Sequence, residues 1–331
     1  MIQFYAAATK KRLAGCVLSL LKRGATAASI ALLLVYRNTH AAPTFTVVTT
    51  TGIIADSTRA IAGDTALVEP LMGAGVDPHL YKASPGDLRK LSNASLILYN
   101  GLHLEGKMAD VLEKLGARKP VIAITKRLPR ERLRSTDPNS EMSDPHIWFD
   151  VALWIEATKT IRDALMQHNP QAASIYSQRF DALSSKLQEL HEWCRKEIAD
   201  IPQSRRTMIT AHDAFGYFGR AYGIEVLGIQ GVSTDSEASL REINNLVQLL
   251  VERKIPAVFV ESTVSPKAVE ALIEGAASRG HRVAIGGELL SDALGKQGTP
   301  QGTYEGMVKH NVTTIKNALS LNEQRGPEHH P

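Results

Sequence analysis

Cysteine is almost missing from this chain. Two occur in 331 residues, Cys16 and Cys194, and the first sits in a leader-like segment. A mature chain then keeps one, which excludes a fold that depends on internal disulfides. Long apolar runs are missing as well: Ala25 to Tyr36 is twelve residues, short of the ~20 that a spanning helix needs. Acidic residues are missing from positions 1–41, which carry Lys10, Lys11, Arg12, Lys22, Arg23 and Arg37. Without that segment the formal charge of +4 becomes −2, so the basic pI is no sign of a nucleic-acid partner. No His-Glu-x-x-His helix and no low-complexity tract is present.

What remains is enough for two ordinary domains, with 44% hydrophobic and 22% charged residues and no sign of general disorder. The front segment has a basic stretch, an apolar run and Thr39-His40-Ala41 before Ala42, the layout of a signal peptide cleaved after Ala41. Export to the periplasm is the expectation. Leu13-Ala14-Gly15-Cys16 has the look of a lipid-attachment box but follows Lys10-Lys11-Arg12 instead of an apolar run, so a lipid anchor is the less favoured reading.

Short runs rich in Val, Ile and Leu recur between helical stretches at Phe45 to Thr50, Leu67 to Met72, Ser95 to Asn100 and Pro120 to Thr125. A second set follows at Thr207 to Thr210, Ile224 to Gly228, Ala257 to Glu261 and Arg282 to Gly287. This βα alternation predicts an α/β fold with two parallel-sheet lobes. Between the sets, Gln171 to Ile198 lacks Gly and Pro and repeats apolar residues at helical spacing, predicting one long rigid helix that joins the lobes. The expected organisation is a signal peptide at 1–41, an N-terminal lobe at 42–170, a linking helix at 171–200, a C-terminal lobe at 201–321 and a flexible tail at 322–331.

The one internal echo is Asp77-Pro78-His79 against Asp144-Pro145-His146. Proline fixes φ and restricts the residue before it, giving each imidazole a stiff mount suited to a metal ligand. Ser84-Pro85-Gly86-Asp87 reads as a helix start, which places His79 in the loop between a strand and a helix. His212 follows the strand at Thr207 to Thr210, and Asp292 follows the strand at Arg282 to Gly287. Ligands of open α/β sheets gather at such strand exits. Three His and one Asp there make a closed shell for a borderline cation. His103 is the rival ligand, whereas His168, His191, His281 and His310 read as structural or solvated. Asp77, Asp150 and Asp213 are candidates to orient the imidazoles.

The motifs Gly75-Val76-Asp77-Pro78-His79, Tyr99-Asn100-Gly101-Leu102-His103-Leu104-Glu105, Asp144-Pro145-His146-Ile147-Trp148-Phe149-Asp150, Thr210-Ala211-His212-Asp213-Ala214-Phe215 and Gly286-Gly287-Glu288-Leu289 with Ser291-Asp292 resemble the cluster A-I substrate-binding proteins of zinc and manganese ABC transporters, most nearly the TroA type. The resemblance covers nearly all of the mature chain. It implies two lobes with a metal site in the cleft, His79, His146, His212 and Asp292 as ligands to one Zn²⁺ or Mn²⁺, no catalysis, and a permease and an ATPase as partners of a monomer. Manganese-type relatives often carry Glu in place of His212, which leans the site toward zinc. Zinc-dedicated relatives often carry a His-rich loop where Arg127 to Ser143 is Arg-rich, which leans the other way. The alternatives are a zinc hydrolase with Glu288 as base, which would need an open coordination position, and a metal-binding surface adhesin.

Overall fold

A computed structural model describes residues 44–135 and 142–320. The expected leader, with Cys16 and the cleavage point after Ala41, and the expected tail at 322–331 lie outside the described residues.

The first half builds a four-stranded parallel sheet from β1 (Phe45–Thr49), β2 (Ala66–Pro70), β3 (Leu96–Tyr99) and β4 (Val121–Ala123), in the order β2-β1-β3-β4. Parallel neighbours need crossovers long enough for a helix, and three supply them: α1 (Gly52–Ala62), α2 (Pro85–Asn93) and α3 (Ala109–Gly116). The start of α2 follows from its sequence: Ser84 accepts from the Asp87 N–H, Asp87 accepts from the Ser84 N–H, and Pro85 occupies the first turn. Residues 71–84, between β2 and α2, are thereby left as a loop at the strand-exit edge, and His79 rides on it.

The second half pairs β5 (Thr207–His212) with β6 (Glu225–Gln230) and β7 (Ala257–Glu261) with β8 (Ala284–Leu289), both parallel. β5 and β7 lie against each other but belong to separate ladders. The crossovers are α6 (Gly216–Tyr222), α7 (Leu240–Arg253) and α8 (Lys267–Ser278), numbered after the two helices that join the halves. The predicted strand at Thr207 to Thr210 runs two residues further, because Ala211 and His212 are fully buried and His212 pairs with Gln230. His212 is therefore the last residue of β5, not the first beyond it.

Joining the halves are α4 (Val151–His168) and the 27-residue α5 (Ala173–Ala199), with a single turn at Pro170–Ala172 between them. At 1.5 Å per residue α5 spans about 40 Å. Tyr176, Phe180, Leu187, Leu190, Cys194 and Ile198 form its buried stripe. It packs on α1 and α4 from the first half, and on α6 and the last helix, α9 (Tyr304–Ser320), from the second. Cys194 is a free thiol inside this core, so the described core is held by packing. No described helix is long and apolar enough to cross a membrane.

Candidate metal centre

The strand exits of both halves converge on one buried cluster. His79 comes from the β2–α2 loop, His146 from the segment before α4, His212 from the end of β5 and Asp292 from the turn after β8. One ligand atom from each lies within 4.8 Å of all the others. His79 Nε2 is 3.2 Å from His146 Nε2 and 3.7 Å from Asp292 Oδ2. Asp292 Oδ1 is 3.4 Å from His146 Nε2, and Asp292 Oδ2 is 3.4 Å from His212 Nε2. A tetrahedral ion with donors at about 2.0–2.1 Å spaces them roughly 3.3 Å apart. The cluster has that size. His212 Nε2 and both Asp292 oxygens are buried with no hydrogen-bond partner among the described residues, a costly state that a cation relieves.

Each candidate ligand is held by a local device. In both halves of the Asp-Pro-His echo the first residue's Oδ1 accepts the histidine's backbone N–H, at 2.8 Å from His79 and 2.9 Å from His146. Asp144 Oδ1 also accepts from His146 Nδ1 at 2.8 Å. Asp77 instead uses its second oxygen across the cleft, taking the Thr234 hydroxyl at 2.6 Å. His212 is gripped twice by Glu261, through its backbone N–H at 2.9 Å and its Nδ1 at 2.6 Å. A proton held on Nδ1 leaves the Nε2 lone pair facing the cluster. The Asp292 turn is fixed by Asn311, which donates to the Leu290 carbonyl and accepts from its N–H, and by Trp148, whose indole donates to the Ser291 carbonyl at 3.0 Å.

The charges are interlocked. Burial acts against the Asp292 carboxylate, but the three imidazoles outweigh it and hold the group well below the usual carboxylate range. Burial also acts against a charged His212, yet Glu261 and Asp292 raise its pKa well above the ordinary histidine value. Burial lowers His79 to about 4, although Asp292 acts the other way on its ring.

All four predicted ligands come together. His103 does not join them: it is exposed at φ 65°, on a loop whose inward residue is Glu105, which accepts from Thr50, Asn100 and Gly101. Of the candidate orienting acids, Asp77 reaches the His79 backbone and Thr234 but not the His79 ring, Asp150 caps α4 through the Leu153 N–H, and Asp213 directs its own N–H to the Gln230 and Gly231 carbonyls. The acids on the rings are Asp144 and Glu261. The signal for Glu261 was an acid ending the apolar strand Ala-Val-Phe-Val-Glu, since a buried carboxylate requires a partner. Glu288, the base that the hydrolase alternative needs, is exposed on β8.

Two parallel-sheet lobes bridged by a long helix, with donors from both closing on one point, define a receptor for a metal ion. The family model for zinc-uptake complex component A, periplasmic, matches residues 47–318, and the chain belongs to that family. It is 50% identical over 273 residues to the manganese-binding lipoprotein MntA of Bacillus subtilis, covering 82% of this chain and 89% of that one. It is 48% identical over 274 residues to the zinc-binding protein TroA of Treponema pallidum, covering 83% and 88%. The solved periplasmic zinc-binding TroA structure superposes with a TM-score of 0.82 at 47% identity, covering 84% of this chain and 99% of that one. The chain is thus a metal-uptake substrate-binding protein, in a family of transport proteins and not of enzymes. MntA is a lipoprotein, so the sequence reading that disfavoured a lipid anchor is not supported by this relative.

Proposed function

We propose that His79, His146, His212 and Asp292 hold one Zn²⁺ or Mn²⁺ as cargo, and that the chain, exported as a monomer, hands it to a membrane permease driven by an ATPase. The reading rests above all on the buried, unpartnered His212 Nε2 and Asp292 oxygens inside a cluster of ion-binding size. Four protein donors complete a tetrahedral shell and leave no position for a reactive water, so the chemistry is carriage and not hydrolysis. Three imidazoles favour zinc, while a carboxylate with both oxygens free can add the extra oxygen that manganese prefers. Relatives of each kind are named, MntA for manganese and TroA for zinc.

The test is metal content and competitive Zn²⁺ and Mn²⁺ binding by the chain starting at Ala42, compared with His212→Ala. One tightly held ion, lost or weakened at least a hundredfold in the variant, is expected, and the competition ranks the two metals. An unchanged affinity in His212→Ala would overturn the ligand assignment.

A further inference from the structure

Arg134, in the stretch before His146, has a task in this fold. Arg134 Nη1 bonds Asp144 Oδ2 at 2.9 Å, on the carboxylate whose other oxygen takes the His146 ring and backbone N–H. The two residues are also tied through the main chain, the Asp144 N–H donating to the Arg134 carbonyl at 2.8 Å. Asp144 is 1% exposed and His146 is fully buried, so the guanidinium supplies the charge partner that a buried carboxylate needs.

Arg134 does not rest on its own half of the molecule alone. Its N–H donates to the Tyr217 hydroxyl at 3.0 Å, and that hydroxyl donates to the Asp144 carbonyl at 2.9 Å. Its guanidinium carbon lies 5.8 Å from the Tyr217 ring centre. The first residue of α6 is Gly216, and a Cβ there would fall 0.9 Å from Arg134 Nη1. The glycine is the seat of the guanidinium. Nearby, Phe149 stacks on Phe215 at 4.2 Å, and Trp148 reaches the Ser291 carbonyl beside Asp292. The peptide carrying His146 is therefore fastened to the half that carries His212 and Asp292 by a cluster of contacts, whereas the loop carrying His79 is tied to that half by the part-buried Asp77–Thr234 hydrogen bond.

We propose that Arg134 is a positioning residue for the metal: seated on Gly216 and Tyr217 of the second half, it fixes Asp144 and through it the His146 imidazole, so that His146, His212 and Asp292 meet the ion as one preformed trio. This rests on the four-ligand reading above. The distance from Arg134 to the ion's ligand is bridged by one carboxylate, so its loss acts on geometry and release and not on the number of donors.

The experiment loads Co²⁺ into the full-length chain and into Arg134→Ala, Arg134→Lys, Gly216→Ala, Asp144→Asn and the Arg134→Ala/Asp144→Asn pair. Visible absorption reports coordination geometry, transfer to a chelator reports release, and the melting of each metal-free protein reports folding. Arg134→Ala and Gly216→Ala are expected to alter the cobalt bands and to speed release by about tenfold or more. Arg134→Lys falls between wild type and Arg134→Ala, and the pair releases no faster than Asp144→Asn alone, because both act through one carboxylate. Gly216→Ala keeps the arginine and only unseats it, so a folding defect peculiar to Arg134→Ala does not decide the matter. Unchanged bands and release in both variants, a loss of melting temperature with the bands intact, or additive effects in the pair would overturn the proposal. A wild-type chain that takes up no Co²⁺ would instead overturn the four-ligand reading.

Discussion

Asp77 and Asp144 perform the same backbone task two residues upstream of a proposed ligand, yet only Asp144 also reaches the ring. The Asp-Pro-His repeat was legible because proline stiffens the mount and an aspartate readily accepts a backbone N–H two residues on. The difference between its copies was not, because it depends on Thr234 and Arg134, 157 and 10 residues from their partners in sequence. Glu261, 49 residues from His212, escaped for the same reason. Its role can be measured: Glu261→Ala leaves the His212 ring unsteered and its backbone N–H unpaired, so metal affinity is expected to fall by about 10- to 100-fold in a competition titration. Glu261→Gln keeps an acceptor for one of the two bonds and is expected to fall less. Equal affinities in wild type and Glu261→Ala would show that burial alone orients the ring.

Elements were legible where periodicity and caps agree. The four first-half strands fall within two residues of their expected ends, and Ser84 caps α2 as its sequence dictates. Ser84→Ala removes the side chain that satisfies the Asp87 N–H and is expected to cost about 1 kcal/mol, read by chemical denaturation. The end of β5 was less legible, since a histidine closing a strand shows no period by itself and its place depends on pairing with Gln230. The long helix was plain from its stripe, and that stripe has an energetic meaning. Ile198, fully buried near the end that meets the second half, is expected to cost about 2–5 kcal/mol when cut to alanine. The proposed ligands lie on other elements, so Ile198→Ala should keep its metal affinity while its denaturation midpoint falls.

At the scale of the whole molecule, an ion held by both halves stabilises the folded state only, by about 2.7 kcal/mol at a hundredfold excess over Kd. For a chain of this size that raises Tm by roughly 4–5 °C. The gain depends on pH with a definite sign. In the metal-free fold Glu261 and Asp292 overcome burial and keep His212 protonated well above the ordinary histidine range, while burial keeps His79 neutral down to about 4. Near neutral pH the ion therefore displaces the His212 proton but none from His79. Affinity should climb with pH until the raised His212 value is passed. The metal-free fold obeys the same linkage: His79 stays neutral while the unfolded chain protonates near ~6.5, so its share of stability falls as pH drops from there toward 4. His212 acts oppositely, its contribution being complete below ~6.5 and lost as pH rises through its raised value. Asp292, held low, contributes above ~3.8 and is lost only as pH falls further. Titration calorimetry at pH 7 in two buffers of different ionisation enthalpy counts the protons, and about one released per ion is expected. A count of zero would mean that His212 is already neutral, and that Glu261 orients the ring without holding its charge.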